Sequence, residues 1–81
     1  MKRFELFQRV ALTHDIPAKK LCRGDVATIV DIHPDPDGSE PGYSLEVQNA
    51  IGETIEVIAV AESDIQELTA DEVLSVRAIA E

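Results

Sequence analysis

A β-branched segment directly after a turn signal constrains the fold of this chain more than any other feature. Arg23-Gly24-Asp25 has the composition of a tight turn, and residues 26–32 follow it as Val-Ala-Thr-Ile-Val-Asp-Ile. Valine, isoleucine and threonine favour extended backbone and predict a strand that is buried on at least one face. The side chains expected to share one face of this central strand are Val26, Thr28, Val30 and Ile32, with Ala27 and Ile29 on the other.

Four further segments have strand patterns that could pair with the central strand. They are residues 10–12, 43–48, 54–60 and 64–68, and a single helical turn could lead into the last of them. In 54–60 the apolar alternation changes phase, because Ile55 and Val57 share one face whereas Ile58 and Val60 share the other. The strand is therefore either covered on both sides or bent by a bulge at Val57–Ile58, and bent strands are what a small barrel requires.

Two segments rich in turn-forming residues separate these strands. Residues 33–42 contain three prolines and two glycines, which predicts a long hairpin loop rather than a strand or helix. Residues 49–53 include Gly52 and predict a tight turn. The core is expected to contain Leu12, Leu21, Val26, Thr28, Val30, Leu45, Val47, Ile55, Val57 and Leu68.

The C-terminal residues have a helical pattern instead. Thr69-Ala70-Asp71-Glu72 matches a capping box, and both acids would lie in the first turn, where the helix dipole favours them. Val73, Val76 and Ala80 then fall on one helical stripe, broadened by Leu74 and Ile79. These patterns predict a barrel over 1–68 and a helix in 69–81, spanning 70–80, that docks on the barrel or on another chain because it is too short to be stable alone.

Length and composition limit the kind of protein that this chain can be. Eighty-one residues with 44% hydrophobic content form one small globular domain. The lone cysteine, Cys22, suits a reducing compartment, and the N-terminal residues lack the apolar stretch of a secretory signal. No apolar stretch approaches the roughly 20 residues of a membrane span. We therefore expect a cytoplasmic protein.

The net charge of −9 is distributed unevenly. Residues 1–23 contain six bases and two acids, a net charge of +4, whereas residues 24–81 contain fourteen acids and one base, a net charge of −13. The basic segment could lie across the acidic remainder and lower its self-repulsion, or the acids could form a face that attracts a basic partner. Bare DNA or RNA is disfavoured, because phosphate binding requires a concentrated basic surface.

Part of the chain resembles a known bacterial family of small SH3-like proteins that carry a domain of unknown function. The resemblance rests on Phe4, Val10-Ala11-Leu12, Asp15-Ile16-Pro17, Leu21, Arg23-Gly24-Asp25-Val26, Thr28-Ile29-Val30, Tyr43 and Glu46-Val47, and covers about residues 4–68. Family members commonly have glycine where Ala27 stands here, have a shorter loop than 33–42, and end near the last strand. The resemblance implies a five-stranded SH3-like barrel without a catalytic site, and nothing about the C-terminal segment.

The same resemblance implies protein-binding roles. Some family members look like one half of small two-gene modules, which suits an antitoxin or inhibitor. A related small SH3-like barrel is an accessory subunit that docks an electron carrier in a photosynthetic complex.

Three local patterns have a structural and a functional interpretation. Arg23-Gly24-Asp25 could be an adhesion triplet, but in a cytosolic chain it predicts a turn whose charged side chains stay solvated. Asp35, Asp37 and Glu40 resemble part of a calcium loop, yet too few ligands are present, so a solvated acidic loop is expected. Cys22 with His14 or His33 lacks a third catalytic group; we expect Cys22 to be a half-buried packing residue and His33 to be exposed.

These observations favour a non-catalytic protein-binding module that needs no cofactor or metal. A barrel this small offers little enclosed space for a substrate, so an enzyme is not expected. The predicted partner is a basic protein, and the predicted contacts are Asp35, Asp37, Glu40, Asp71 and Glu72. The alternatives are a nucleic-acid-associated barrel, whose only candidate footprint is Lys19, Lys20 and Arg23, and a structural oligomer formed through an edge strand or the C-terminal helix.

Overall fold

The computed structural model describes residues 4–79, and these residues form one antiparallel sheet of five strands. The strands are β1 (Arg9–Leu12), β2 (Val26–His33), β3 (Gly42–Gln48), β4 (Thr54–Ala61) and β5 (Ile65–Glu67). Short 3₁₀ turns at Pro17–Lys19 and Glu62–Asp64 precede β2 and β5. The order across the sheet is β4-β3-β2-β1-β5, which confirms a mainly β fold with the central strand where the sequence predicts it.

The predicted inward face of β2 is wrong. Ala27 and Ile29 are buried, whereas Val26, Thr28 and Val30 are only half-buried. Pairing with the neighbouring strands determines which face of β2 is buried, because the buried residue Val10 lies opposite Ala27 and the buried residue Leu45 lies opposite Ile29. A strand with β-branched residues on both faces can point either face inward, and only its partners decide between them.

A bulge at Val30 then changes the phase of β2. Ile29 pairs with Leu45 and Asp31 pairs with Ser44, so Val30 is the extra residue on β2. Beyond the bulge, Ile32 lies opposite the buried Tyr43 and packs against the core. The bulge therefore lets β2 contribute Ile29 and Ile32 to the same core although they are an odd number of residues apart.

Strand β4 also contains an irregularity, but not at the predicted Val57–Ile58 position. Val47 pairs with Glu56 and Gln48 pairs with Thr54, which leaves Ile55 as the extra residue. Ile58 is buried opposite Leu45, whereas Ile55 and Val57 are 38% and 56% exposed. The prediction that Ile55 and Val57 belong to the core is therefore wrong.

The remaining core residues agree in part with the prediction. Leu12, Leu21, Leu45 and Val47 are buried as expected, whereas Leu68 is half-buried. The sequence analysis did not include Phe4, Val10, Tyr43 and Ile65 in the core, and all four are fully or almost fully buried. The Phe4 and Tyr43 rings meet edge to face, with centroids 5.6 Å apart.

The predicted C-terminal helix does not form in the described residues. Thr69 and Glu72 close a single turn, in which the Glu72 N–H donates to the Thr69 carbonyl (3.1 Å) and the Thr69 N–H donates to Glu72 Oε1 (2.6 Å). The capping pattern is thus used for one turn, and residues 72–79 have no regular secondary structure; Ala80 lies outside the described residues. A helix of about ten residues is marginal without tertiary contacts, and here the contacts hold a non-helical segment.

None of the helical turns in the described residues is long and apolar enough to cross a membrane.

Candidate partner-binding site

The acidic loop between β2 and β3 is tied to the 3₁₀ turn Glu62–Asp64. Glu40 Oε1 accepts a hydrogen bond from the Ser63 N–H (2.8 Å), and the Pro41 carbonyl accepts one from the Glu62 N–H (3.0 Å). Within the loop, Asp35 Oδ1 accepts the Asp37 N–H (2.8 Å). Glu40 therefore positions the loop, whereas Asp37 is exposed to solvent and Asp35 is half-buried.

The other two predicted contact residues lie in the turn that begins at Thr69. The Thr69 hydroxyl donates to the Asp71 carboxylate, which lowers the pKa of Asp71. Glu72 accepts the Thr69 backbone N–H, and both acids are exposed. The structure thus places the predicted acids in two separate elements, the loop between β2 and β3 and the turn after β5.

The acidic loop does not form a metal site with its neighbours. Across residues 4–79, no group of three or more His, Cys, Asp or Glu side chains is arranged to hold a metal ion. Asp35 and Asp37 instead shape the turn that includes Gly38, which has a positive φ of 79°.

The Arg23-Gly24-Asp25 turn is confirmed, but Asp25 is not the solvated residue expected from the sequence. Gly24 has a φ of 90°, which favours glycine. Asp25 Oδ2 accepts the Cys22 N–H (2.8 Å), and the Asp25 carboxylate accepts two N–H groups of Arg77. Burial works to raise the pKa of Asp25, but the hydrogen bonds from Arg77 and Cys22 outweigh it and lower that pKa.

Residues 73–79, hereafter the tail, lie across the face of the sheet beside this turn. Arg77 donates from Nε to Asp25 Oδ1 (3.0 Å). Its Nη2 donates both to Asp25 Oδ2 and to the Lys20 carbonyl (3.2 Å). A cleft of about 630 Å³ lies between the tail and the sheet. This arrangement was not predicted from the sequence. The one feature that could have indicated it is Arg77, the single base among fourteen acids in residues 24–81.

His14 and Asp64 form a second pair that the sequence analysis missed. His14 Nε2 lies 2.7 Å from Asp64 Oδ1, and its Nδ1 lies 2.9 Å from the Asp15 carbonyl. The hydrogen bond with Asp64, followed by that with the Asp15 carbonyl, raises the pKa of His14. Burial works to raise the pKa of Asp64, but hydrogen bonds from the Ala61 N–H and from His14 lower it.

Cys22, His14 and His33, which were considered as a catalytic group, each have different surroundings in the structure. Cys22 is exposed rather than half-buried as predicted. The His33 ring is exposed, as predicted, and bonds to the Ser44 hydroxyl (2.7 Å), while the His14 ring bonds to Asp64. Both histidines therefore have structural hydrogen-bond partners.

Comparison with known proteins identifies a family but no individual relative. No curated protein and no solved structure matches the chain. The family profile described as Domain of unknown function (DUF4926) matches residues 6–67, from the segment before β1 to the end of β5. Because that match spans about three quarters of the sequence, the chain belongs to this family of domains of unknown function.

Proposed function

We propose that this chain is a small, cytoplasmic, non-catalytic protein-binding module of bacterial SH3-like type that binds a basic partner protein as an inhibitor, of the antitoxin kind, or as an accessory subunit. The observation that carries the proposal is the unbalanced charge of residues 24–81. Their only base, Arg77, is bound to Asp25, so it neutralises none of the exposed acids in the loop or in the turn after β5. An acidic surface of this kind accelerates association with a basic protein.

The arrangement of the strands supports an SH3-like barrel. The first half of β2 pairs with β1 and the second half pairs with β3, and extra residues at Val30 and Ile55 interrupt two of the ladders. Bulges increase the twist and bending of strands, which a small barrel needs in order to close.

Three carboxylates with shifted pKa values support a binding role over a catalytic one, and His14, whose pKa is raised, is an exposed side chain bonded to Asp64. The carboxylates of Asp25, Asp64 and Asp71 have lowered pKa values, and each shift is explained by a hydrogen bond that holds two segments or a turn together. A catalytic acid or base usually has a pKa displaced toward neutrality in a cleft. These carboxylates are displaced in the opposite direction.

The test is the association rate with the native partner, after that partner has been recovered from lysate, identified and purified. Reversal of Asp35 and Asp37 to lysine should slow association about tenfold at low salt, because steering depends on exposed charge. Glu40 is left unchanged, since its bond to the Ser63 N–H ties the loop to the turn before β5, whereas the bond that Asp35 accepts from the Asp37 N–H lies within the loop. The wild-type rate should fall as salt shortens the Debye length, which is about 8 Å at physiological ionic strength.

Lys19→Glu with Lys20→Glu is the matched control. It changes net charge by the same amount in the opposite direction and should not slow binding to a basic protein. The same variant should abolish binding if the partner is nucleic acid. Submicromolar, salt-sensitive binding to mixed-sequence RNA or DNA that this variant abolishes would overturn the proposal.

A structural oligomer is a second candidate, because β4 is an edge strand with exposed apolar side chains. Val57 is 56% exposed on β4, and Ile51, in the adjacent turn, is 79% exposed. An exposed apolar edge favours strand pairing between copies, and a lysine on the edge opposes it. A mass above that of the monomer by light scattering, reduced to the monomer by Val57→Lys, would favour the oligomer.

A further inference from the structure

The tail and the sheet face beneath it form an incompletely filled groove, here called the tail groove. Its walls include Leu21, Val26, Val47 and Ile55, and Asp25 lies among them. The tail crosses it with Leu74 and Ile79 on its inner side, yet these side chains remain 53% and 42% exposed. Leu21 and Val47 belong to the buried core, whereas Val26 is half-buried and Ile55 is 38% exposed, so part of the apolar wall remains accessible.

A charged anchor fixes the position of the tail. The planar guanidinium of Arg77 donates two N–H groups to one carboxylate, the paired geometry that arginine forms and lysine cannot. A third N–H reaches the Lys20 carbonyl at 3.2 Å. Val73 and Val76 are 92% and 94% exposed, so their side chains contribute little to the docking.

The spacing of the inner residues describes what the groove accepts. Leu74 lies three residues before Arg77, and Ile79 lies two residues after it. The tail has no regular secondary structure, and docked in this way it places an aliphatic side chain on either side of the anchor. A segment with larger aliphatic or aromatic side chains at these two positions would fill more of the 630 Å³ cleft.

We infer that the tail groove is a binding site for a non-helical peptide segment of the partner, with an arginine bound to Asp25 and apolar residues three before it and two after it. The tail occupies this site in cis as a competing mimic. This inference rests on the proposed function, because it takes the partner to be a basic protein. It adds the site on this chain that binds one of the partner's arginines.

Competition in cis has a measurable consequence. A tethered segment is present at an effective concentration on the order of millimolar, so a free peptide at micromolar concentration cannot displace a well-docked tail. If the groove is open only a tenth of the time, the apparent Kd of a peptide is about tenfold weaker than its intrinsic Kd. Releasing the tail should therefore tighten peptide binding.

The experiment uses the full chain and a fluorescent synthetic peptide that copies residues 72–79, titrated by anisotropy. Arg77→Ala in the protein should lower the Kd for this peptide at least about tenfold relative to wild type. Adding Asp25→Asn to that variant should remove the gain, because the amide loses the charge but can still accept the Cys22 N–H and keep the turn. A peptide with Gln in place of the arginine should bind to none of these proteins.

Two tail variants provide the matched control. Leu74→Ala should release the tail and tighten peptide binding, whereas Val73→Ala, next to it but exposed to water, should leave the Kd unchanged. NMR relaxation should show the tail more mobile in Arg77→Ala and Leu74→Ala while the amides of β1–β5 keep wild-type protection from hydrogen exchange, which separates release of the tail from unfolding.

Equal affinity of wild type and Arg77→Ala for the peptide, or equal binding of the Gln peptide, would overturn the inference. A wild-type mass that rises with concentration and falls to the monomer in Arg77→Ala would also overturn it, because the tail would then dock on a second copy. These outcomes involve no partner, so they leave the reversal of Asp35 and Asp37 as an independent test of the proposed function.

Discussion

Arg77 and Asp25 are 52 residues apart in the sequence, and the Arg77 guanidinium donates two hydrogen bonds to the Asp25 carboxylate. Asp25 also accepts the Cys22 N–H and so closes the turn from which β2 starts. One carboxylate thus holds both the entry to the central strand and the C-terminal tail. A change in the tail is therefore connected to the start of β2 through a single side chain.

Two alanine substitutions test which face of β2 and which face of β4 are buried. Ile29→Ala should lower the free energy of unfolding by about 2–5 kcal/mol, because it leaves a cavity beside Leu45. Val57→Ala should change it by less than about 0.5 kcal/mol, because that side chain is largely exposed. Chemical denaturation measures both, and a larger loss for Val57→Ala would contradict the described orientation of these strands.

Stability should depend on pH through the His14–Asp64 pair. The raised pKa of His14 means that its contribution is complete below the unfolded value of 6.5 and is lost as pH rises through the folded value. The lowered pKa of Asp64 means that its contribution is present above 3.8 and is lost as pH falls through the folded value. The pair therefore stabilises the fold between these limits.

The measurement is the melting temperature from pH 5 to pH 8 together with an NMR titration of the His14 ring. Asp64→Asn should return the His14 pKa toward its ordinary value and flatten the change in melting temperature above pH 6.5. The Asn side chain can still accept the Ala61 N–H, so the turn before β5 is retained. An unaltered His14 titration in Asp64→Asn would show that the pair does not form in solution.

The buried Tyr43 ring carries a hydroxyl that donates to Glu62 Oε2 (2.9 Å). Tyr43→Phe should cost about 1.5–3 kcal/mol, the usual contribution of a hydrogen bond to a charged group. The matched control is Tyr43→Phe in a Glu62→Gln background, where the hydroxyl faces a neutral acceptor and the loss should be smaller. Equal losses in both backgrounds would mean that the negative charge of Glu62 contributes nothing.

The loop between β2 and β3 should be replaceable outside its anchor residues. Replacing residues 34–39 with Asn-Gly, with Glu40 and Pro41 retained, should change stability by less than about 1 kcal/mol, because loop-closure entropy varies slowly with length. Extending the deletion through Pro41 should be more destabilising, since the bonds to Ser63 and Glu62 are lost.

A calcium titration of the two loop forms completes this prediction. Millimolar calcium should leave the melting temperature of both forms unchanged. A rise in the intact protein alone would show that Asp35 and Asp37 bind the ion.

The sequence determined the positions of the strands, the loops and the uneven charge, because these depend on local properties. β-branched residues after Gly24 predict β2, prolines and glycines predict the 33–42 loop, and the expected burial of Leu45 and Val47 predicts the inward face of β3. Each of these signals is contained within a few neighbouring residues, so no knowledge of distant partners was required.

Only the tertiary structure decided which face of β2 is buried, where the bulges lie and what the C-terminal segment does. Both faces of β2 carry β-branched side chains, so the register with Val10 and Leu45 selects between them. The capping pattern at Thr69 is genuine, but local helical propensity is weak over about ten residues, and the bond between Arg77 and Asp25 favours a docked tail instead. Contacts between residues distant in sequence outweigh local preference here, and a single sequence does not reveal which distant residues will meet.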